Sequence, residues 1–216
     1  MSYINIEQYT KKIKDNVILD NISIQLEKNR IYGFVGINGS GKTMLFRAIV
    51  GLISPTEGKI IVDNTEVGNG KHPKSVGLVL ENANLWAELS AYDNLKILNK
   101  MSNNPISNEE IKSILVNFGL EPNSKKVFKA FSLGMKQKLR LAQAFMGNPE
   151  LIVLDEPTNA LDENSVKNIH QFIKQQKEKG ATILLASHSK IDIECLCDEI
   201  IYMDSGKITK HEKVKK

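Results

Sequence analysis

The chain has 216 residues, 41% of them hydrophobic and 25% charged, with a formal net charge of +4 at pH 7. That balance excludes a disordered or fibrous chain and leaves an ordinary globular protein. The positive excess is small and the lysines are scattered, so a nucleic-acid partner is not expected.

No apolar stretch approaches the roughly 18–20 residues that span a bilayer, and the residues from Met1 to Glu7 lack the basic start and apolar stretch of a signal peptide. The two cysteines, Cys195 and Cys197, do not have the Cys-x-x-Cys spacing of a metal or redox site. Two apart, they read as small buried side chains on one face of a strand, in a reducing compartment. A cytosolic protein is expected.

Taken along the chain, Ile4, Ile6, Val17, Leu19, Ile22, Ile24 and Leu26 alternate with polar residues, the pattern of half-buried antiparallel strands. Ile31 to Val35 is a short apolar run that reads as a buried strand. A glycine-rich loop follows. After it comes a predicted helix over Thr43 to Leu52, with Leu45, Phe46, Ile49 and Val50 on its apolar face. Ile60 to Val62 reads as another antiparallel strand. Val76 to Leu80, Leu151 to Leu154 and Thr182 to Ala186 are nearly continuous apolar runs, as strands inside parallel sheets are. Between Asn82 and Pro149 the sequence turns helical, with starts at Ser90 and at Ser107-Asn108-Glu109-Glu110, the latter a capping box. A crossover helix bearing Val166, Ile169, Phe172 and Ile173 is closed by Gly180. The basic stretch from Lys207 to Lys216 reads as a solvated, partly frayed tail.

The chemistry begins at Gly36-Ile37-Asn38-Gly39-Ser40-Gly41-Lys42-Thr43. Set between a strand and a helix, this spacing points backbone N–H groups and the positive end of the helix at a phosphate. Lys42 supplies a charge for the β- and γ-phosphates, and Thr43 a hydroxyl for magnesium. The competing reading, a chance match in a glycine-containing loop, is weakened by that flanking strand and helix. Leu151 to Glu156 is an apolar strand ending in two carboxylates. Asp155 is placed for a water-bridged magnesium and Glu156 for polarising a water that attacks the γ-phosphate. Alone they could be two solvated acids at a strand end. His188, just past another strand, either donates to the γ-phosphate or is structural; His72, His170 and His211 are assigned no role. Ser132 precedes an amphipathic helix with Leu139, Leu141, Ala142 and Phe145, and is either a plain helix cap or part of a second anion site.

Together these elements resemble the nucleotide-binding subunit of an ATP-binding cassette (ABC) transporter, over about Ile4 to Ile208. Gly36 to Thr43 is similar to the Walker A motif and Leu151 to Glu156 to Walker B. Ser132-Leu133-Gly134-Met135-Lys136-Gln137 resembles the signature motif, Asn159-Ala160-Leu161-Asp162 the D-loop, and His188 the switch histidine. The resemblance implies an α/β fold: a P-loop NTPase core with a mixed, largely parallel sheet, an antiparallel β subdomain and a helical subdomain insertion. The expected division is a core with its β lobe over 1–81 and 151–208, a helical signature lobe over 82–150, and a polar tail over 209–216. It further implies ATP and Mg²⁺ as cofactors, with Thr43, Glu81 and Asp155 at the metal and Glu156, His188 and Lys42 in catalysis. Nucleotide contacts are implied for Gly36, Asn38, Gly39, Ser40, Gly41, Lys42 and Thr43. Ser132 and Gly134 would act in trans on the γ-phosphate held by a second cassette, a homodimer being expected. A separate membrane permease is the other implied partner, which makes the chain peripheral on the inner face of the cell membrane, with export the expected direction.

Two positions depart from the family pattern. Glu81 stands where the Q-loop glutamine is usual; it can ligate magnesium but cannot donate a hydrogen bond. A glutamate there, with the Ser-Leu-Gly-Met spelling, resembles cassettes of bacteriocin and lantibiotic immunity exporters. Ile13 takes the place of the aromatic residue that stacks on adenine, unless Tyr9 reaches the base. The groove after Glu81 would receive a permease helix, with Leu85, Trp86, Leu89 and Tyr92 as candidate floor residues or as packing of the helical lobe. The alternatives are a soluble ABC-type ATPase acting on protein or nucleic acid, and a phosphate-loop kinase. The signature segment argues against the kinase, and a single cassette with no coiled-coil insert argues against the nucleic-acid branch.

Overall fold

In the computed structural model, which describes residues 2–80, 84–102 and 104–214, the strands sort into two sheets by the kind of apolar pattern they carry. The alternating segments β1 (Ile4–Ile13) and β2 (Asn16–Leu26) pair antiparallel. With β4 (Glu57–Val62) and β5 (Thr65–Val67) they form a four-stranded sheet in the order β2-β1-β4-β5. The continuous runs β3 (Ile31–Val35), β6 (Val76–Val79), β7 (Leu151–Asp155) and β8 (Thr182–Ala186) lie in the second sheet, with β9 (Glu199–Asp204) and β10 (Lys207–Lys213). Its order is β10-β9-β3-β8-β7-β6, and every pair but β9–β10 is parallel.

Those runs are continuous because both faces of the second sheet are covered. Ile152, Leu154, Ile183 and Leu185 point into one core, shared with the helical lobe. Leu151, Val153, Leu184 and Ala186 point into the other, shared with the antiparallel sheet and α1 (Lys42–Ile49). Within that second core Phe34 and Phe46 meet edge to face at 5.0 Å between ring centroids. Each such fully buried side chain contributes about 1.5–3 kcal/mol of transfer free energy.

The helical lobe contains α2 (Ala91–Met101), α3 (Asn108–Asn117) and α4 (Leu133–Ala144). Ser90 caps α2 by accepting from Asp93 N, and the capping box of α3 is formed by Ser107 and Glu110 in both directions. α5 (Glu163–Glu178) is the crossover from β7 to β8, and α6 (Lys190–Leu196) leads into β9. Among the described residues no helix is long and apolar enough to cross a membrane.

Two expectations change. Residues 207–213 form edge strand β10 instead of a frayed tail. Its polar pattern hid it: it is held by the backbone ladder to β9 and by polar side-chain contacts across it, Tyr202 donating to Glu212 and His211 pairing with Glu199, both at 2.7 Å. A lysine-rich edge also discourages pairing with other chains. Cys195 and Cys197 do not share a strand face. They lie at the end of α6, where positions two apart diverge, so Cys197 is buried and Cys195 exposed.

Candidate functional site

Parallel order brings the C-terminal ends of β3, β7 and β8 to one edge of the sheet, where ligands of open α/β sheets gather. β3 delivers the loop 36–41, β7 delivers Asp155 and Glu156, and β8 leads to His188. They enclose a cleft of about 560 Å³ whose walls include Asn38 to Thr43, Asp155, Glu156, Asn159 and His188.

The loop's path requires its glycines. Gly41 caps α1 at φ +103°, a conformation that other residues rarely adopt. At Gly36 a Cβ would sit 2.3 Å from the Met203 carbonyl oxygen and 2.5 Å from Ser40 Oγ. No side chain occupies the N-cap of α1, so its first N–H groups and the positive end of its dipole are open to an anion. Lys42 is buried, and its Nζ donates to the carbonyls of Gly36 at 2.7 Å and Ile37 at 3.2 Å, which lays the charge over the loop. Thr43 Oγ1 donates to Asp155 Oδ2 at 2.6 Å, joining the loop to the end of β7.

Glu156 sits just beyond β7 with φ +50°, unusual for a non-glycine residue. Its N–H donates to the Ala186 carbonyl at 2.9 Å. Its carbonyl and that of Pro157 accept from Gln137 Nε2 at 3.2 and 3.0 Å. Gln137 is buried on α4, so α4 holds the turn that carries the carboxylate. Burial pushes the Glu156 carboxyl above the ordinary glutamate value, against the pull of the His188 N–H and ring and of Lys42. The N–H of His188 donates to Glu156 Oε2 at 3.3 Å, and its Nε2 donates to Asn38 Oδ1 at 2.9 Å.

The expected residues divide by location. Asn38 to Thr43, Asp155, Glu156 and His188 line one cleft. Ser132 and Gly134 are not among its walls. Ser132 is exposed and caps α4 through Met135 N at 3.2 Å, and Gly134 packs by the Ala160 carbonyl. Ile13 is exposed at the tip of β1, also outside those walls, whereas Ile18 lines the cleft. Tyr9 is buried in the core with its hydroxyl on the Ile53 carbonyl, so it cannot serve as an adenine platform. Glu81 lies outside the described residues. In the neighbouring segment Leu85 and Tyr92 pack on the helical core and Leu89 is partly buried, while Trp86 is exposed. The fully buried Asn94 clamps this segment, donating to the carbonyls of Trp86, Leu89 and Ser90.

Sequence reasoning missed three participants. Ile18 belongs to a strand with no motif, and Gln137 was read only as part of a motif. Asp192 had no signal beyond its place four residues after His188. It is 1% exposed and joins His170, Thr158 and Ser187.

Comparison with known proteins agrees with this geometry. The family described as ABC transporter matches residues 19–159. The uncharacterised ABC transporter ATP-binding protein YybJ of Bacillus subtilis is 49% identical over 98% of this chain and 97% of its own length. The lantibiotic transport ATP-binding protein SrtF of Streptococcus pyogenes is 35% identical over 95% of this chain and 88% of its own. The bacitracin transport ATP-binding protein BcrA of Enterococcus faecalis is 34% identical over 98% and 69%. Among solved structures, a dimeric ATP-binding cassette in a post-hydrolysis state bound to ADP and phosphate superposes with a TM-score of 0.88 at 26% identity, over 99% of both chains.

Proposed function

The chain belongs to the ABC transporter family of ATP-binding, ATP-hydrolysing proteins, and from that premise we propose that it powers a separate permease that exports a peptide antibiotic. The observation that carries the hydrolytic part is Glu156. It is a half-buried carboxylate with a raised pKa, beside a phosphate-binding loop and oriented by the His188 N–H. Such a group accepts a hydrogen bond from a water and polarises it for in-line attack on the γ-phosphorus. The bond to the β–γ bridging oxygen then breaks, leaving ADP and phosphate.

The loop N–H groups and Lys42 hold the β- and γ-phosphates and offset the charge on the leaving oxygen. The His188 ring, 52% exposed at the cleft, is a donor for a γ-phosphate oxygen. The oxygens of Thr43 and Asp155 suit a hard divalent cation, and magnesium held there with the phosphates would neutralise charge. Ser132 and Gly134 are not among the walls of their own cleft and would complete the site of a second copy, a reading supported by a dimeric cassette among the similar solved structures. The direction and class of cargo rest on the printed functions of the lantibiotic and bacitracin relatives. The site on the permease side would be the segment from Leu85 to Tyr92, with Trp86 as its exposed aromatic anchor.

Phosphate release by the full chain with ATP and magnesium, alone and as Glu156→Gln, tests the enzymatic part. The variant should bind ATP, release phosphate roughly 10²-fold more slowly and elute as an ATP-bound dimer. A monomer with undiminished turnover would sink the assignment. For the transport part, a cell lacking the protein should become more sensitive to lantibiotics or bacitracin. Unchanged tolerance to both classes argues for another cargo.

A further inference from the structure

The β7–β8 ladder holds its strands together as far as Asp155 and Ala186, but Glu156 and His188 sit on the turns beyond those ends, whose relative placement needs a further tie. Glu156 is followed by Thr158, and His188 is preceded by Ser187. Both hydroxyls converge on one oxygen. Thr158 Oγ1 donates to Asp192 Oδ2 at 2.6 Å, and Ser187 Oγ donates to the same atom at 2.7 Å. The other oxygen, Oδ1, accepts from Nε2 of His170 on α5 at 2.7 Å.

We propose that Asp192 is a positioning residue for ATP hydrolysis: its carboxylate pins the segment carrying Glu156 to the segment carrying His188. This rests on the catalytic reading of Glu156 given above. Four features carry it. First, the carboxylate is 1% exposed, and burying a charge is tolerated only where donors replace the lost water. Second, the donors come from three separate parts of the chain: the turn after β7, the turn after β8, and α5. Simple filling of space would call for an apolar side chain, whereas three convergent donors call for an ionised carboxylate, both of whose oxygens only accept. Third, the turn bearing His188 is closed from the other side as well. Ser189 N donates to Ser187 Oγ at 3.0 Å, and Asp192 N donates to Ser189 Oγ at 3.3 Å. Fourth, the two pinned segments already meet directly: Glu156 N donates to the Ala186 carbonyl and His188 N to Glu156 Oε2. The former, at 2.9 Å, continues the β7–β8 ladder and fixes the strand ends, whereas the latter, at 3.3 Å, is long for an amide-to-carboxylate bond and does not by itself set the spacing of the two turns beyond them. Burial alone would raise the Asp192 carboxyl, but the hydrogen bonds from His170, Thr158 and Ser187 outweigh it and hold the group below the usual aspartate value.

Small displacements of a water-polarising group cost rate while leaving substrate affinity alone, since phosphate binding depends on the loop and not on this hub. The test compares the full-length wild type with Asp192→Asn, Thr158→Val, Thr158→Ser and Glu156→Gln, measuring kcat and KM for ATP, nucleotide affinity and melting temperature. Asp192→Asn should lower kcat by about tenfold or more with KM and nucleotide affinity within about twofold. Thr158→Val should do the same, and Thr158→Ser, which keeps the hydroxyl, should restore wild-type kcat. If Asp192→Asn fails to fold, the two Thr158 variants decide. A lower melting temperature with unchanged kcat in Thr158→Val and Asp192→Asn overturns the proposal, as does a loss of nucleotide affinity in step with rate. The Glu156→Gln control separates the failures. Wild-type hydrolysis in that variant removes the catalytic reading itself, whereas an impaired control beside unaffected Asp192 and Thr158 variants removes only this inference.

Discussion

The backbone N–H of His188 donates to Oε2 of Glu156 at 3.3 Å, while the ring of the same histidine turns to Asn38 Oδ1 at 2.9 Å. One residue therefore meets the carboxylate through its main chain, while its ring bridges the phosphate loop and, at 3.5 Å, the other carboxylate oxygen, Oε1. The two contributions can be separated, because truncating the ring leaves the amide in place.

His188→Ala should therefore keep the amide bond to Glu156 Oε2 and remove the ring's contacts, the hydrogen bond to Asn38 and the 3.5 Å approach to Glu156 Oε1. Loss of one donor to the developing charge lowers kcat by roughly 10–10³-fold. Nucleotide affinity and melting temperature should hardly change, because the ring is 52% exposed. Steady-state phosphate release together with nucleotide titration checks this. An unchanged kcat would assign the ring to structure.

Gln137 makes a second prediction. It is 7% exposed, and its side-chain amide serves the carbonyls of Glu156 and Pro157 at once. Gln137→Leu keeps the volume and takes the Gln137 donor from both carbonyls; that of Glu156 keeps the Asn159 N–H at 3.4 Å, while that of Pro157 loses its donor at a cost of about 1–3 kcal/mol if it stays dry. The Glu156 turn, already at φ +50°, loses its tether to α4. A lower melting temperature together with lower kcat is expected, read by thermal unfolding and phosphate release. If stability falls and kcat stays, α4 does not govern the carboxylate.

How far the sequence could be read follows from how each feature is encoded. The strands β3, β7 and β8 were legible because parallel strands covered on both faces are apolar without interruption. The caps at Ser90, Ser107 and Ser132 were legible because a hydroxyl before a helix has one dominant use. The loop, Asp155 and Glu156 were legible because their spacing to a strand is local. β10 was not, since it pairs with β9 through the backbone and through polar side-chain contacts that no apolar periodicity announces. Nor was Asp192, whose hydrogen-bonding partners Thr158 and His170 are 34 and 22 residues away. His170, left without a role in the sequence, gains one only through that contact. The helix that ends at Cys195 and Leu196 is not legible either, because Ile193, Leu196 and Cys197 make an apolar pattern too short to reveal a helix of 7 residues.

The capping box of α3 offers a control away from the nucleotide. Ser107 Oγ accepts from Glu110 N at 3.2 Å, and Glu110 Oε2 accepts from Ser107 N at 2.8 Å. The Ser107 N–H first, and then its hydroxyl, hold the Glu110 carboxyl below its ordinary value. Ser107→Ala should cost about 1 kcal/mol, a drop of roughly 2–4 °C in melting temperature for a chain of this size. ATP hydrolysis should be unchanged at temperatures where both proteins are folded. A change in kcat there would mean that the lobe's N-terminal helices couple to the site.

Glu156 itself predicts a trade of stability for activity. Burial, the largest influence, raises its carboxyl pKa, and the nearby Asp155 charge adds to this, while the His188 amide and ring and Lys42 only partly offset them. A carboxyl whose pKa is higher folded than unfolded binds more protons in the folded state over the pH interval between the two values. Stability from this group is thus present below the unfolded value, about 4.3, and is lost as pH rises through the folded value. At neutral pH the ionised side chain is a net cost to the fold, and a neutral amide of the same shape removes it. Nucleotide-free Glu156→Gln should melt at a higher temperature than wild type at pH 7, and the difference should shrink as pH falls towards 4. Thermal unfolding across that range, without ATP so that binding does not contribute, gives the answer. A variant that is less stable at pH 7, or a difference that grows towards acid, would mean the carboxylate is held for the fold and not poised against it for hydrolysis.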